Sequence, residues 1–486
     1  IENNHIDAII GLPANIFFGT GIPTIIMVLR QRRERDDVLI IDASKGFIKE
    51  GKNNKLRASD IRRIADTVAA RISVPKYSRT VSRDEIRRND YNLNIPRYVD
   101  SSEAAEHWDV YASMFGGIPM AEIDELGEYW AAFPNLRRQL FNENGTPYAA
   151  VAMEDVRSAI KQSEDVIAFE NAYHAAFASL PAHLKSVLIA GMDQLEIAKT
   201  EAALSSDIFA RLSGVPLIDK YAAFQLLDDQ WSSIAVDLEM IQTEGFAAVK
   251  KVDPRLVIKK KGNEEQEVQE GWIGHVIPFA LAQRTLLKDE ADQLSALESQ
   301  LAEIPGEYES LLDEFSEEDK ESESYKACFT EEGDAFVPKE VTKKLKELKR
   351  KRSPEAQAAY RLFSRVDALS AQEKTLKASI KSGSAALEAH TKEVIEGLSD
   401  EQALALLEEK WIAPLATELS KLPDDIVDSL VSKIQALQSK YATTFFDVED
   451  EIHKTERQLA QMLDDLDGNE YDLKGLSEFK SLLMGE

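Results

Sequence analysis

Cysteine is almost absent from this chain of 486 residues, which contains Cys328 alone. A single cysteine excludes a disulfide framework and any Cys-rich zinc or iron–sulfur site, and it is typical of a protein of the reducing cytoplasm. Histidine is also scarce, and the seven histidines lack the spacing of metal ligands. The sequence therefore predicts a cytoplasmic protein without a metal site.

Long apolar runs are missing as well. The most apolar stretch, Thr24–Leu29, is far too short to span a membrane. The chain opens with Ile-Glu-Asn-Asn-His, without an initiator Met and without the pattern of a signal peptide. We therefore expect either a processed amino terminus or a longer protein of which this chain is the carboxy-terminal part.

Acidic side chains outnumber basic ones by 86 to 58, which gives a net charge of −28. Such a charge normally argues against a nucleic-acid partner. The average conceals a division, because residues 1–100 carry 18 basic and 13 acidic side chains, a net of +5. Residues 101–486 carry 40 against 73, a net of −33. The two parts therefore need separate interpretation.

The length predicts several domains, and the first hundred residues have the pattern of a β-sheet. Three apolar segments are typical of strands buried on both faces: Ile6–Leu12, Pro23–Arg30 and Val38–Asp42. We expect a turn between neighbouring strands at Arg30–Asp37, a helix capped by Ser59 and Asp60, and a basic loop at Lys76–Arg88. Three strands cannot cover both faces of their own sheet, so we expect the final part of an α/β domain.

From residue 101 onward the apolar residues recur at three- and four-residue spacing, which predicts helices. The expected helical segments are Ala121–Phe133, Ala152–Leu180, Leu184–Leu212, Pro216–Val236, Leu281–Leu312, Pro338–Arg352, Ala356–Leu398 and Val448–Leu466. The longest are leucine-spaced and charged, as in coiled-coil-like arms. Val252–Gly271 predicts a hairpin or a mobile loop, and the acidic stretch Glu317–Glu332 predicts a solvated connector.

The loop Phe17-Phe-Gly-Thr-Gly-Ile-Pro23 is the most informative short segment. Its glycines allow close backbone approach, and two adjacent aromatic residues at a strand end could stack on a flat ligand such as an extruded base. Alternatively, one phenylalanine packs into the core and the glycines only form a turn, and composition alone favours this alternative. The GxGxxG spacing is absent, which excludes a dinucleotide fingerprint.

Three segments carry a family signature in order along the chain: Leu12-Pro-Ala-Asn-Ile-Phe-Phe-Gly-Thr-Gly-Ile-Pro23, Val38-Leu-Ile-Ile-Asp-Ala-Ser44 and Asn89-Asp-Tyr-Asn-Leu-Asn-Ile-Pro-Arg-Tyr-Val99. Together they resemble the modification (M) subunit of type I restriction-modification systems. The resemblance covers residues 1–100 strongly. It is weaker in Phe115–Pro119, Leu227–Trp231 and Ile241–Phe246, which are similar to the helical tails of some members.

This resemblance implies a DNA adenine-N6 methyltransferase with a doubly wound sheet, which takes its methyl group from S-adenosylmethionine. Catalysis in the family requires a Gly-rich cofactor loop and an Asn-Pro-Pro-aromatic motif, and neither occurs in this sequence. The family places both upstream of the segment equivalent to Ile6–Pro13. We therefore expect no catalytic residue in this chain, and we expect the chain alone neither to bind the cofactor nor to methylate DNA.

The resemblance also implies a target-base pocket after the strand equivalent to Ile6–Pro13. In related adenine methyltransferases an aromatic residue of this loop stacks on the flipped adenine, and Phe17 is our preferred equivalent over Phe18. The residues implied for the pocket are Phe17, Phe18, Gly19, Thr20 and Gly21. With the resemblance included, we favour this functional interpretation of the loop.

The segment Asn89–Val99 resembles the end of the family's catalytic domain. Its polar and aromatic residues are Tyr91, Asn92, Asn94 and Arg97. These side chains could contact DNA, or the segment could be domain-closing packing with turns favoured by asparagine, and the sequence supports both equally. Basic residues that could meet phosphates are Arg30, Arg32, Arg33, Arg62, Arg63, Lys76, Arg79, Arg83, Arg87 and Arg88.

The predicted fold is mainly α, with a long helical tail after the last strands of a doubly wound, methyltransferase-like α/β domain. We expect three parts: residues 1–100 from the catalytic domain, a helical domain at 101–275, and assembly arms at 276–486. The resemblance implies a specificity (S) subunit, a second M subunit, a restriction (R) subunit and DNA as partners. The alternative is a non-enzymatic helical assembly or scaffold module.

Overall fold

A computed structural model describes residues 1–17, 19, 21–102, 107–143, 145–261 and 264–484, without the side chains of residues 260, 261, 264 and 265. Two residues predicted for the base pocket, Phe18 and Thr20, lie outside the described residues. The chain forms two compact units, the first from residues 1–184, 196–233 and 414–486, and the second from 185–195 and 234–413. Each unit joins distant segments, and the three-part linear division stays a prediction.

Strands make up a much smaller part of the described chain than helices, and most of them are short. They are β1 (Ile6–Leu12), β2 (Thr24–Leu29), β3 (Val38–Asp42), β4 (Ile48–Glu50), β5 (Asn53–Lys55), β6 (Ser78–Val81), β7 (Ile118–Pro119), β8 (Phe141–Glu143), β9 (Tyr148–Val151), β10 (Val252–Lys261) and β11 (Glu264–Gly274). The predominance of helix over these small sheets confirms the mainly α class.

The helices occupy most of the remaining chain. They are α1 (Ala58–Ala70), α2 (Arg83–Arg88), α3 (Val110–Phe115), α4 (Met120–Asp124), α5 (Gly127–Ala132), α6 (Leu136–Leu140), α7 (Val156–Lys161), α8 (Glu164–Phe177), α9 (Leu180–Leu184), α10 (Ile197–Leu212), α11 (Lys220–Glu244), α12 (Phe279–Leu286), α13 (Lys288–Asp313), α14 (Glu317–Glu321), α15 (Pro338–Leu348), α16 (Pro354–Glu396), α17 (Asp400–Trp411), α18 (Ala413–Lys440), α19 (Phe445–Asp464) and α20 (Glu470–Met484). Single turns of 3₁₀-helix lie at Ile95–Arg97, Phe246–Lys250 and Lys326–Cys328, and a π-helical turn at Lys185–Ile189.

The first unit contains a four-stranded sheet in the order β2-β1-β3-β6. Strands β1 and β3 are parallel and buried, as their apolar sequences predict, with apolar clusters on both sides of the sheet. The doubly wound arrangement implied by the family stays a prediction.

Strand β2 differs from the prediction in position and in burial. It pairs antiparallel with β1, on the side opposite β3. The segment 30–37 therefore does not join neighbouring strands, and that prediction is wrong. Ile25 and Leu29 of β2 are exposed, because a strand at the edge of the described sheet lacks the cover that buries β1 and β3.

The segment after β3 is more regular than the sequence predicts. The expected basic loop at Lys76–Arg88 contains β6 and α2. Helix α1 is capped by Arg57 instead of Ser59: the Asp60 carboxylate accepts hydrogen bonds from the backbone and side-chain nitrogens of Arg57, each at 2.9 Å. The Ser59 amide instead donates to the Gln225 side chain at 3.0 Å.

Helical packing in the first unit joins residues that are far apart in the sequence. Buried residues of α4 to α8, such as Phe133 and Leu136, form one apolar cluster with Val427 and Leu430 of α18. The small sheet β7-β9-β8 adds Phe141 to the same cluster. This packing fixes α18 beside segments about 300 residues earlier in the chain.

In the second unit the long helices α13 and α16 run antiparallel. Polar contacts along their length are Glu290 to His390, Tyr308 to Glu373 and Glu314 to Arg365. The predicted solvated connector Glu317–Glu332 is wrong in part, because Cys328 and Phe329 are buried there beside Phe363. The prediction missed these two core residues because it was based on the acidic composition of the whole stretch.

The predicted hairpin is confirmed by the antiparallel pairing of β10 with β11. Within the described ranges, no helix combines the length and apolar character needed to cross a membrane. Over the same ranges, no group of three or more His, Cys, Asp or Glu side chains is placed to hold a metal ion.

Candidate functional site

The described residues of the predicted site lie in the first unit, in the loop after β1 and in the segment 89–99 beside β1. Strands β1 and β3 are parallel, and their register places Gly11 beside Asp42 near their carboxyl ends. Ligands of α/β sheets bind beyond the carboxyl ends of parallel strands. The loop after β1 and the turn after β3 therefore start from the same edge.

The loop after β1 presents Phe17 to solvent, with 55% of its surface exposed. The start of the loop is held in place, because the Asn54 amide donates to the Asn15 carbonyl at 2.9 Å and the Asn54 side chain donates to the Ala14 carbonyl at 2.7 Å. Gly19 has a φ of +75°, which L side chains rarely adopt. The geometry disfavours the alternative in which Phe17 is a core residue, and a base-stacking role stays a prediction.

The segment 89–99 packs along β1, and its Ile95 reaches the carboxyl end of the strand. A Cβ atom at Gly11 would lie 2.7 Å from Cδ1 of Ile95, so the end of the Ile95 side chain packs closely on the backbone of β1. Tyr98 and Val99 are buried in the cluster that contains Ile9 of β1. These contacts favour the domain-closing interpretation for the apolar residues of the segment.

The polar residues of the segment contact neighbours within the first unit. The Tyr91 hydroxyl donates to Glu2 at 2.8 Å, and Asn92 accepts from the Asn94 amide at 2.9 Å. The Arg97 guanidinium donates to the Asn89 side chain at 3.3 Å. All of them remain at or near the surface, so a DNA contact by these residues stays a prediction.

Hydrogen bonds from Arg87 and then from Tyr91 lower the pKa of the Glu2 carboxyl to about 2. Glu2 therefore stays ionised. Its contacts with Arg87 and Tyr91 hold the amino-terminal end of the described chain against residues 87–91.

Carboxylates of the same unit neutralise half of the predicted phosphate-binding side chains. Asp7 pairs with Arg30 and Arg33, and further pairs are Arg62–Asp66, Arg79–Glu85 and Arg87–Glu2. In the described part of the chain, no carboxylate pairs with Arg32, Arg63, Lys76, Arg83 or Arg88. Five of the ten candidates thus remain available to an anion.

A polar cavity of about 370 Å³ opens at the carboxyl end of β3. Its lining includes Asp42, Lys45, Arg63, Lys76 and Tyr77. The sequence did not predict that these residues lie together, because they belong to separate stretches of the chain. A signal was present only at Asp42, an acidic residue directly after a buried apolar strand.

The sheet edge and its loop lie in the part of the chain that resembles known proteins. Residues 1–107 match the family model described as N-6 DNA Methylase. The amino-terminal segment is therefore similar to that family. This methylase segment (residues 1–107) contains the loop of Phe17, the segment 89–99 and the cavity beside Asp42.

Three known proteins are similar to part of this chain. The type I restriction enzyme MpnII methylase subunit of Mycoplasma pneumoniae is 36% identical over 111 residues, covering 23% of this chain and 20% of the relative. The MjaVIII methylase subunit of Methanocaldococcus jannaschii is 30% identical over 152 residues, 30% of this chain and 25% of the relative. A solved type I methyltransferase subunit from Streptococcus thermophilus is 46% identical over 21% of each chain, with a TM-score of 0.21.

These matches confirm the predicted resemblance to type I methylase subunits for the methylase segment. The chain spans about a fifth to a quarter of the length of the curated relatives it matches. The residues matched by each of these curated relatives make up less than a third of this chain.

Proposed function

We propose that this chain is part of the methyltransferase subunit of a type I restriction-modification enzyme, which methylates adenine N6 in DNA together with a specificity subunit. The observation that carries the proposal is the exposed Phe17, held at the carboxyl edge of a parallel strand pair within the methylase segment. An exposed aromatic ring at this edge is suited to stack on a base taken out of the duplex.

The residues present do not fit S-adenosylmethionine. The sequence lacks a Gly-rich cofactor loop and an Asn-Pro-Pro-aromatic motif. The cavity at the carboxyl end of β3 is lined by four cationic side chains, from Lys45, Arg57, Arg63 and Lys76, and a positive lining repels a sulfonium cation. In this proposal the cofactor is held by polypeptide other than these 486 residues, and the chain contributes to the pocket of the target base.

Phe17 tests the proposal directly. In the complete methyltransferase, assembled with its specificity subunit, Phe17→Ala should reduce kcat/KM for methylation by roughly tenfold or more, because stacking on one base contributes about 1–3 kcal/mol. Binding of the target duplex should change much less, because the specificity subunit reads the DNA sequence in this proposal. Methylation is measured by incorporation of a labelled methyl group.

Ile22→Ala is the matched control, since Ile22 is an exposed apolar residue of the same loop. Its methylation rate should stay within about twofold of the parent, as expected of a surface substitution. Phe18→Ala separates the two aromatic candidates. Unchanged methylation in both phenylalanine variants would contradict the assignment of the loop to the base pocket.

The carboxy-terminal helices support a role in assembly. Helix α19 exposes an apolar stripe of Val448, Ile452, Leu459 and Met462, and α20 exposes Tyr471 and Leu482. Exposed apolar faces of this kind mark surfaces that bind other proteins. We assign this stripe to the helical spacers of the specificity subunit, within a complex that also holds a second M subunit and a restriction subunit.

A non-enzymatic scaffold would use the same helices, so the exposed stripe does not separate the two functions. The coding sequence upstream of the Ile1 codon separates them. An in-frame segment encoding a Gly-rich loop and an Asn-Pro-Pro-aromatic motif supports the methyltransferase, whereas a start codon at that point would support the scaffold.

A further inference from the structure

The cavity at the carboxyl end of β3 is lined by cationic side chains that form no ion pair within the described part of the chain. Lys45, Arg63 and Lys76 line it, and in the described part of the chain no carboxylate forms an ion pair with any of them. The other cationic residue of the lining, Arg57, is held by Asp60 through two hydrogen bonds at 2.9 and 3.0 Å. The available charge therefore belongs to three side chains.

Arg63 is the central group of the cavity. It is half-buried, and its guanidinium carbon lies 4.3 Å from the centre of the Tyr77 ring. Stacking on an aromatic face fixes the plane of the guanidinium and leaves its edge free to donate hydrogen bonds. Such an edge is suited to two oxygens of a phosphate group.

The acidic residues of the lining are already occupied. Asp42 accepts hydrogen bonds from the Ser44 amide at 3.0 Å and from the Ser101 hydroxyl at 2.5 Å. Asp60 accepts from Arg57, as described above. These contacts keep both carboxylates in the wall of the cavity. There they reduce its net positive charge, but in the described part of the chain neither forms an ion pair with Arg63.

The turn before β6 fixes the position of Lys76. The Ser78 amide donates to the Val74 carbonyl at 2.9 Å, and Lys76 between them adopts a φ of +59°. A lysine in the left-handed region is uncommon and indicates a constrained turn. Asp100 lies within electrostatic range of Lys76 but forms no ion pair with it.

We propose that this cavity is a phosphate-binding site in which Arg63 and Lys76, with Lys45, hold the oxygens of one phosphate group. The phosphate is either a phosphodiester of the DNA backbone or the phosphate of a small ligand. The DNA source rests on the proposed function, because it needs the methylase segment to lie against DNA. Binding of phosphate itself does not.

The experiment titrates the full 486-residue chain with two probes, inorganic phosphate followed by calorimetry and a short DNA duplex followed by fluorescence anisotropy at several salt concentrations. Lys76→Asn removes the charge and keeps a residue that tolerates positive φ. It should weaken phosphate binding by about fivefold, and Arg63→Gln, which removes a two-oxygen contact, by about tenfold or more. Lys49→Ala is the control, since Lys49 is exposed on β4 outside the cavity and should change neither probe.

Parallel losses for phosphate and duplex, with a shallower salt dependence for the duplex, identify the DNA backbone as the source. A loss for phosphate alone identifies a small phosphorylated ligand, and both results support the site. Absence of phosphate binding, or equal affinities in the parent and both variants, overturns it. If Arg63→Gln loses the circular dichroism of the parent and so fails to fold, the result for Lys76→Asn decides the test, because Lys76 lies on an exposed turn. Neither probe measures methyl transfer, so failure here is distinguishable from failure of the proposed function.

Discussion

His275 lies between two carboxylates of the second unit. Its Nδ1 atom is 2.6 Å from Asp253, and its Nε2 atom is 3.0 Å from Glu244, which also pairs with Lys251. The hydrogen bond to Asp253, followed by the one to Glu244, raises the pKa of His275 above its usual 6.5, although burial opposes the rise. Only the protonated ring donates to both carboxylates at once.

This contact predicts a pH-dependent contribution to stability. Because the folded-state pKa of His275 is raised, its contribution is complete below pH 6.5 and is lost as the pH rises through the folded value. His275→Gln should therefore lower the thermal unfolding midpoint by about 2 °C at pH 5.5 and by less at pH 8.5. The measurement is thermal unfolding of both proteins at the two pH values.

His453→Gln is the matched control, because His453 pairs with Glu456 on the surface of α19 with over half of its side chain exposed. An exposed pair contributes little to stability. An equal shift at both pH values for His275→Gln would show that the residue acts by packing and not by its charge.

Residue-level chemistry was only partly predictable from the sequence. The exposure of Phe17 agrees with a functional loop. The sequence could indicate this loop because its seven residues are adjacent in the chain. The sequence did not predict which basic residues are available to bind an anion, because this depends on whether a carboxylate elsewhere in the chain pairs with them. Arg33 is taken up by Asp7, whereas Arg63 lies on Tyr77, and no sequence spacing distinguishes the two.

At the scale of elements, α16 depends on one aromatic side chain. Phe363 is fully buried, with ring centres 4.9 Å from Phe315 and 5.6 Å from Tyr325. Phe363→Ala should lower the free energy of unfolding of the second unit by about 3–5 kcal/mol, because it removes apolar contacts and leaves a cavity. Urea unfolding followed by near-ultraviolet circular dichroism measures the loss.

Arg361→Ala on the exposed side of the same helix is the control and should cost less than about 0.5 kcal/mol. If both variants were equally stable, the aromatic cluster would not hold α16 in place.

Elements with a strong local pattern were predicted well, and elements defined by distant partners were not. The β-branched residues on either side of Lys259-Lys-Lys-Gly262 predicted a hairpin or a mobile loop, and the apolar runs predicted β1 to β3. Strand β6 was missed because Ser78–Val81 has only four residues with one apolar side chain, and its pairing with β3 makes it a strand. The burial of Phe329 was not predicted, because the aromatic residues that pack with it lie in other segments of the chain.

At the scale of the whole molecule, the proposal separates catalysis from assembly. The 486-residue chain alone should bind S-adenosylmethionine no more tightly than an unrelated protein does and should transfer no methyl group to DNA. Calorimetry and a labelled-methyl assay measure the two quantities. Specific binding of the cofactor would show that the chain contains a site that its sequence motifs do not reveal.

The same chain should still bind a specificity subunit through the stripe on α19. Ile452→Glu should weaken that binding by about tenfold, because it buries a charge in an apolar contact. Glu449→Ala, on the same helix, should change it by less than about threefold. Co-purification followed by a quantitative binding titration measures the effect, and equal binding by the two variants would move the contact away from the stripe.

Strand β2 has a consequence for handling the protein. Its outer backbone groups have no strand beside them in the described sheet, and Ile25, Ile26 and Met27 are exposed on its faces. An unprotected apolar edge is a template on which another strand can add. Storage of the purified chain at high concentration should therefore favour edge-to-edge aggregation. Met27→Lys would be the first substitution to slow it.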